Sequence, residues 1–482
     1  MNYKILGYIL GSLLRLEGIL MSLPLLVSFI YKEDTINKLS YFIPMVFMIV
    51  IGTVVAKICK KFNRFYNKEG IVIAALGWIM VSAFGALPFV ISGDIPNYID
   101  AFFEAVSGFT TTGSSIITDL DVIAKSNLFW RSFSHLIGGM GILVFALAIM
   151  PKEGRQSSLI MKAEVPGPVF GKIVAKARDS ARVLYIIYII MTMVLVVFLL
   201  FGGVNLFDSM LLAFGTAGTG GFGVSAAGIT GYNSSYVEVV LSIGMIVFGV
   251  NFNVYFLILV GHVKEAFKSE ELKWYLGIIL GAVGLIFINI MKYYDTILGA
   301  LKDILFTVSS VITTTGYATV DFNTWPLFSK FILLILMFIG GCAGSTAGGL
   351  KVSRVMIYIK SGIAQFKKIA NPNRVKVIAV EGKSIDRDLK ENVLNYLAIY
   401  LLLFIIILGV MSITMDDFTT AFSSAATSFN NVGPGLGEVG PMSNFANITY
   451  INKIVMSISM LAGRLELIPI LILFSPRTWK KF

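Results

Sequence analysis

The sequence predicts an all-α polytopic membrane protein in which two N-terminal spans precede four tandem span, pore-loop, span units around one pore. Three observations carry that prediction. Hydrophobic residues fill 56% of the 482 positions and charged residues only 14%, and the mean hydropathy is +0.82, far from the balance of a soluble domain. The run Thr110-Thr111-Thr112-Gly113 returns at Thr313-Thr314-Thr315-Gly316, and alignment on the glycine exposes two further copies, ending at Gly221 and Gly433. Between the first and last copies Ala101-Phe102 answers Ala421-Phe422, Ala105 answers Ala425 and Phe109 answers Phe429, the mark of an internal repeat. Finally, Lys and Arg cluster in the segments that join one unit to the next.

Residues 5–31 form the first span, too long for a signal-peptide core and without a small-residue cleavage pattern. It contains Arg15 and Glu17, to which the sequence assigns no role. Residues 40–59 form the second, followed by a basic turn with Lys60, Lys61, Arg64 and Lys68, so that residues 1–62 make an N-terminal helix pair. The first unit, 63–182, places spans near 71–92 and 128–150 around Gly113. The second, 183–272, places them near 183–204 and 235–261 around Gly221. The third, 273–391, uses 273–292 and 328–362 around Gly316, and the fourth, 392–482, uses 392–413 and 449–474 around Gly433.

Thirteen positions before each glycine stands a residue suited to capping a helix, namely Asp100, Asp208, Asp303 and Thr420. Each loop therefore reads as a capped helix of about three turns followed by an extended stretch. Such a helix is too short for a hydrocarbon core of ~30 Å, which needs about twenty helical residues, so the chain must re-enter. Non-helical backbone at membrane depth is tolerated only where protein buries it or where it lines a wet cavity, so four such stretches are expected to converge on one axis. Glycine permits the backbone angles that point successive carbonyls one way, and threonine adds an uncharged oxygen. Rings of neutral oxygens replace the hydration shell of a monovalent cation, and the C-terminal end of each short helix favours positive charge. The candidate filter residues are Thr111, Thr112 and Gly113; Thr219, Gly220 and Gly221; Thr314, Thr315 and Gly316; and Asn431, Val432 and Gly433.

The net charge of +11 marks inner-surface loops of a membrane chain and not a nucleic-acid surface. Lys152, Arg155, Lys162, Lys172, Lys176, Arg178 and Arg182 follow the first unit; Lys264, Lys268 and Lys273 the second; Lys360, Lys367, Lys368, Arg374 and Lys376 the third; Arg477, Lys480 and Lys481 the fourth. All fall on one side if each unit crosses twice, which makes that side, and both termini, cytoplasmic. Asp100, Asp208 and Asp303 then lie at the outer side.

The second span of the third unit is too long to be one helix. At 35 residues it would reach about 52 Å. The small-residue run with Gly340, Gly341, Gly344, Ser345, Thr346, Gly348 and Gly349 is the expected break. Close helix packing is one reading of such residues; so much glycine in ten positions favours a flexible intramembrane gate. Arg464 lies inside the last span, and Met460, Leu461, Leu467 and Ile468 on its helical face offer no acid. A charge at that depth faces a cavity or a partner. It is either a pore-facing barrier to cations or a structural pair with Glu466 of a neighbouring chain or with another span.

Taken together, the four tandem units, the runs Thr110-Thr111-Thr112-Gly113, Thr219-Gly220-Gly221-Phe222, Thr314-Thr315-Gly316-Tyr317 and Asn430-Asn431-Val432-Gly433-Pro434, the run Gly138-Gly139-Met140-Gly141 and the segment Gly340 to Gly349 resemble the Trk/Ktr/HKT superfamily of potassium transporters. The additional N-terminal helix pair resembles its TrkH type. The resemblance spans essentially the whole chain. It implies a gated potassium-selective uptake pore, with rubidium as a candidate second ion, in a bacterial cytoplasmic membrane. It implies a homodimer with one pore per chain, a cytosolic ring of nucleotide-binding regulatory subunits of the TrkA type, a glycine-rich loop beneath the filter, and an arginine projecting into the pore from a Gly-Arg-Leu-Glu context. It implies potassium ions in the filter and no covalent cofactor. One departure is the presence of Gly218 and Gly220 where the first copy has Thr110 and Thr112, which leaves fewer side-chain oxygens in the second strand.

Other chemistries are poorly supplied. Cys59 and Cys342 are far apart, and with His135 and His262 as the only histidines zinc has too few ligands. The runs beginning at Gly218 and Gly435 match G-x-G-x-x-G, but each follows a pore helix and no strand precedes either. Ser132 and His135 share a helix face yet lack an orienting group or oxyanion hole, so an intramembrane hydrolase is a weak alternative. A cation-coupled secondary transporter, a potassium symporter with protons or sodium, is the stronger alternative. It predicts two inverted repeats, whereas the four here share one orientation.

Overall fold

The computed structural model describes residues 1–59, 67–141, 177–370 and 378–479. The expected distal part of the first unit's second span, and Lys60, Lys61, Arg64, Lys152, Arg155, Lys162, Lys172, Lys176, Arg374, Lys376, Lys480 and Lys481, lie outside the described residues. Among the described residues nearly all regular structure is helical, apart from one short antiparallel pairing of Ala379–Val380 with Lys383–Ser384.

The N-terminal pair is Tyr3–Leu20 continued by Ser22–Ile30, packed on Thr35–Cys59. These helices cross backbone to backbone because glycine faces glycine: a Cβ on Gly52 would stand 2.6 Å from the Gly11 carbonyl oxygen, and one on Gly11 would stand 2.9 Å from that of Gly52. Small residues allow such approach where lipid supplies no hydrophobic drive. Glu17 is buried beside the kink at Gly85.

The outer helices of the four units are Asn67–Gly85 with Leu87–Ser92, Ala177–Phe201, Glu270–Ile290 and Arg387–Met411. Together with the N-terminal pair they give, among the described residues, six helical segments long and apolar enough to cross a membrane. Each outer helix leads to a short one: Tyr98–Phe109, Leu206–Gly218, Ile297–Ile312 and Phe418–Asn430. Their caps differ from the expected ones. Asn97, Asn205 and Asp417 cap the first, second and fourth, each three residues before the expected position, and Thr296 caps the third, seven residues before Asp303. A cap needs extended backbone, which these residues have; Asp100, Asp208 and Thr420 occupy the third helical position, where their own N–H groups are received by the cap. The Thr420 hydroxyl and N–H hold the Asp417 carboxyl below the usual carboxylate range.

The inner helices differ from expectation in a second way. The third unit is interrupted between Leu327–Ile339 and Val352–Ala370, but the fourth also breaks, between Tyr450–Arg464 and Ile468–Leu473. The second bends by 89° between Ser235–Phe248 and Phe252–Leu259, and Lys125–Gly139 ends at Met140. The expected single spans at 235–261 and 449–474 are thus two pieces each. The short helices press against these sites: a Cβ on Gly138 would lie 1.8 Å from the Phe109 carbonyl oxygen, and one on Gly463 2.2 Å from that of Phe429.

Candidate ion-conduction site

All four short helices end in one backbone form. Two residues before the loop glycine, Thr111, Thr219, Thr314 and Asn431 have left-handed φ of 55° or 56°, and the glycines follow with φ from 69° at Gly221 to 103° at Gly433. Between them, Thr112 donates to Ser107, Gly220 to Gly215, Thr315 to Ser310 and Val432 to Thr427, at 2.8–3.0 Å. This closure satisfies the last helical carbonyls. Left-handed backbone at a β-branched residue costs about 1–3 kcal/mol and collects at functional sites, so its repetition at three threonines marks a geometry the surroundings enforce.

The four loops meet in a closed ring. A Cβ on Gly113 would lie 2.0 Å from the Gly220 carbonyl oxygen, one on Gly221 1.9 Å from that of Thr315, one on Gly316 2.3 Å from that of Val432, and one on Gly433 2.8 Å from that of Thr112. Each unit's glycine therefore seats against the preceding carbonyl of the next, and the fourth returns to the first. No larger residue fits without displacing backbone. The ring's contacts join eight of the twelve expected loop residues, and the other four, Thr111, Thr219, Thr314 and Asn431, stand directly before them in the chain.

Behind the ring the strands are braced differently. The Thr110 and Thr112 hydroxyls pair at 2.8 Å and those of Thr313 and Thr315 at 2.7 Å. Asn431 donates to the Thr112 hydroxyl and to the Met460 carbonyl, while Tyr400 donates to Asn430. Glu104 and Arg131, both buried, form an ion pair of 2.8 Å; Glu104 also receives the Ile116 N–H and the Ser115 hydroxyl, and Arg131 donates to the Gly223 carbonyl. Sequence reasoning passed over this pair, although two charges on apolar helices are themselves a signal of an intramembrane partner.

Residues 340–351 lie against the ring, where Gly348 N–H donates 2.7 Å to the Thr314 hydroxyl. The segment is not a loose run of glycine. Cys342 N–H donates to the Gly249 carbonyl, Phe252 N–H to the Gly344 carbonyl, and the Thr346 hydroxyl to the Phe248 carbonyl. The buried Glu271 carboxylate receives the N–H groups of Ala343 and Ser353 at 2.7 and 3.2 Å. Gly340, Gly344 and Gly349 take positive φ, and Gly340 seats against the Gly348 carbonyl, so these glycines serve a specific path and not slackness alone. Gly341 and Ser345 are buried or nearly so in the same turn.

Arg464 reaches this loop. Its guanidinium donates 2.8 Å to the Thr346 carbonyl and also to the Gly138 and Gly139 carbonyls, which joins the fourth unit to the third unit's loop and the first unit's helix end. Glu466 pairs instead with Arg354 of the helix beyond the loop, in a two-pronged contact that suits guanidinium and carboxylate geometry. Asp100 receives Lys453 at 2.7 Å and Asp303 lies 3.7 Å from Lys302.

A helical, multi-pass chain whose four repeated units close one carbonyl ring is a membrane transport protein by architecture. The comparison with known sequences places it further: it belongs to the TrkH family, since the model of that family, described as a cation transport protein, matches residues 38–481. It is 34% identical to the Trk system potassium uptake protein TrkH of Salmonella typhimurium over the full length of both chains. It is 30% identical to the Trk system potassium uptake protein TrkG of Escherichia coli, with 99% of each covered. The crystal structure of the potassium transporter TrkH from Vibrio parahaemolyticus superimposes with a TM-score of 0.89 at 31% identity, covering both chains completely. The family is one of transporters and not of enzymes.

Proposed function

We propose that this chain is a gated, potassium-selective uptake pore of a bacterial cytoplasmic membrane, with both termini inside and rubidium as a second permeant ion. The closed ring of four glycines against four carbonyls carries the reading, because backbone oxygens held in a ring by packed protein can replace the water around a monovalent cation. The N-terminal pair at 1–62 flanks four pore units at 63–182, 183–272, 273–391 and 392–482. Dehydrated potassium ions are the occupants of the twelve-residue filter, and no other cofactor enters the mechanism. The segment Gly340 to Gly349 is the gate, and Arg464 acts as its latch as well as a positive barrier on the path. The chain works as a homodimer with one pore each. Its basic inner surface receives cytosolic nucleotide-binding subunits of the TrkA type.

The test is radiolabelled rubidium uptake in bacteria lacking their own potassium uptake. The chain should restore uptake and growth at low potassium; Gly113→Asp and Gly316→Asp should abolish both while remaining in the membrane, since each places a charged side chain in the ring. Unchanged uptake and ion preference in both variants would remove the filter assignment.

A further inference from the structure

The second strand of the ring lacks the hydroxyl pair found in the first and third, because Gly218 and Gly220 stand in place of threonines. Its space is already filled. A Cβ on Gly220 would meet His135 at 2.3 Å from Nδ1, 2.4 Å from Cγ and 2.5 Å from Cε1, and one on Gly218 would lie 2.2 Å from the His135 carbonyl oxygen. The imidazole, fully buried on the first unit's inner helix, sits where the missing side chain would be.

It also makes bonds there. Nδ1 lies 2.8 Å from the Gly108 carbonyl oxygen, and the Phe222 N–H points at Nε2 from 3.3 Å. A backbone N–H only donates and a carbonyl only accepts, so Nδ1 carries the hydrogen and Nε2 is bare. One neutral ring thereby ties the end of the first short helix to the residue directly after Gly221. The Phe222 ring packs on the imidazole at 4.3 Å between centroids with the planes tilted by 35°, and Arg131 covers Phe222 at 4.1 Å while holding the Gly223 carbonyl at 3.2 Å. Strand two is thus braced by a side chain of a neighbouring unit at the place where strands one and three each carry a hydroxyl pair of their own.

We propose that His135 is a positioning residue for ion selection, supplying to the second filter strand the support that paired threonine hydroxyls supply to the first and third. The inference rests on the filter reading above. It explains Gly220 by replacement, since hydroxyl and imidazole are alternative ways to fill that place, while the His135 backbone carbonyl leaves no room for a side chain at Gly218.

The experiment measures the potassium-to-sodium permeability ratio of the full chain in proteoliposomes, at matched protein content, for His135→Ala, Gly220→Ser and the double variant. His135→Ala should lower the ratio roughly five- to tenfold, the scale of one lost hydrogen bond. Gly220→Ser should lower it too, by driving the ring out of place. The double variant should lie closer to wild type than Gly220→Ser alone, since removal of the ring opens room for the hydroxyl. If His135→Ala does not reach the membrane, Gly220→Ser against His135→Gln/Gly220→Ser makes the same comparison, with the smaller, flexible amide yielding to the serine. A wild-type ratio in His135→Ala, or a double variant no closer to wild type than Gly220→Ser alone, overturns the proposal. Gly113→Ala run alongside separates the two readings: if it lowers the ratio and the His135 set does not, only this inference fails, and if neither does, the filter reading fails with it.

Discussion

Gly113 and Gly93 have the same backbone angle, φ +85°, but opposite surroundings: a Cβ at 113 would meet the Gly220 carbonyl oxygen at 2.0 Å, and a Cβ at 93 would meet nothing within 4 Å. Alanine at either position therefore carries the same left-handed strain, about 1–2 kcal/mol. Only at 113 must something else move. That oxygen has to retreat from 2.0 Å to at least 3.0 Å, and it belongs to one of the four carbonyls that close the ring. A hydrogen bond to a charged group is worth about 1.5–3 kcal/mol, which sets the scale for one carbonyl oxygen facing a cation, and each 1.4 kcal/mol of difference between two ions is about tenfold in their ratio. Gly113→Ala is thus expected to lower the potassium-to-sodium permeability ratio about tenfold or more, and Gly93→Ala to leave it at the wild-type value. Reversal potentials of the purified variants in proteoliposomes read both. Equal ratios in the two variants would show that contact with the neighbouring carbonyl has no bearing on selection and would refute the reasoning.

Arg464→Ala should raise resting cation flux, because it removes three charge-assisted hydrogen bonds to backbone carbonyls and releases Thr346; unchanged flux would make the arginine a packing residue. Deleting Gly344 to Gly349 should also raise resting flux, and the double variant should conduct at least as well as either alone with weakened response to a cytosolic partner. Wild-type flux and regulation in both single variants would assign the segment to helix packing. Glu271→Gln should loosen the same loop from its other side, with a smaller rise in flux than Arg464→Ala, since a neutral amide keeps one acceptor for Ala343 and Ser353; a fall in flux would contradict that role. Neutralising Lys367, Lys368 and Arg374 together should weaken binding of a TrkA-type ring in a pull-down with purified protein, and undiminished binding, also after exchange of the loop around Lys172 and Arg178, would place the contact elsewhere.

The repeat was legible because a side chain at Gly113, Gly221, Gly316 or Gly433 would strike a neighbouring carbonyl, so glycine marks the same place in all four runs, and these four glycines form one ring. The caps of units one, two and four stand three residues before the expected positions because Asp100, Asp208 and Thr420 are themselves favourable in a first turn, and the pattern alone does not say which polar residue is extended. The interruptions near Gly249 and after Arg464 carry local signals, Gly249 with the helix-capping Asn251 in the first and Glu466 with Pro469 in the second, but the long apolar runs on either side of them read as single spans. The loop from Gly340 read as loose from its composition, yet Glu271, Arg464, Thr314 and Phe248 hold it through bonds between residues distant in sequence. His135 was visible only as a weak partner for Ser132; its relation to Gly220 required the packing of two units against each other.

The most direct test of the central claim is the reversal potential of purified wild-type protein in proteoliposomes under a set potassium gradient with sodium opposed. A pore lined by the ring passes current that reverses near the potassium equilibrium potential and follows it as the gradient is changed. A reversal that shifts instead with the proton or sodium gradient at constant potassium would contradict the pore and support a coupled transporter.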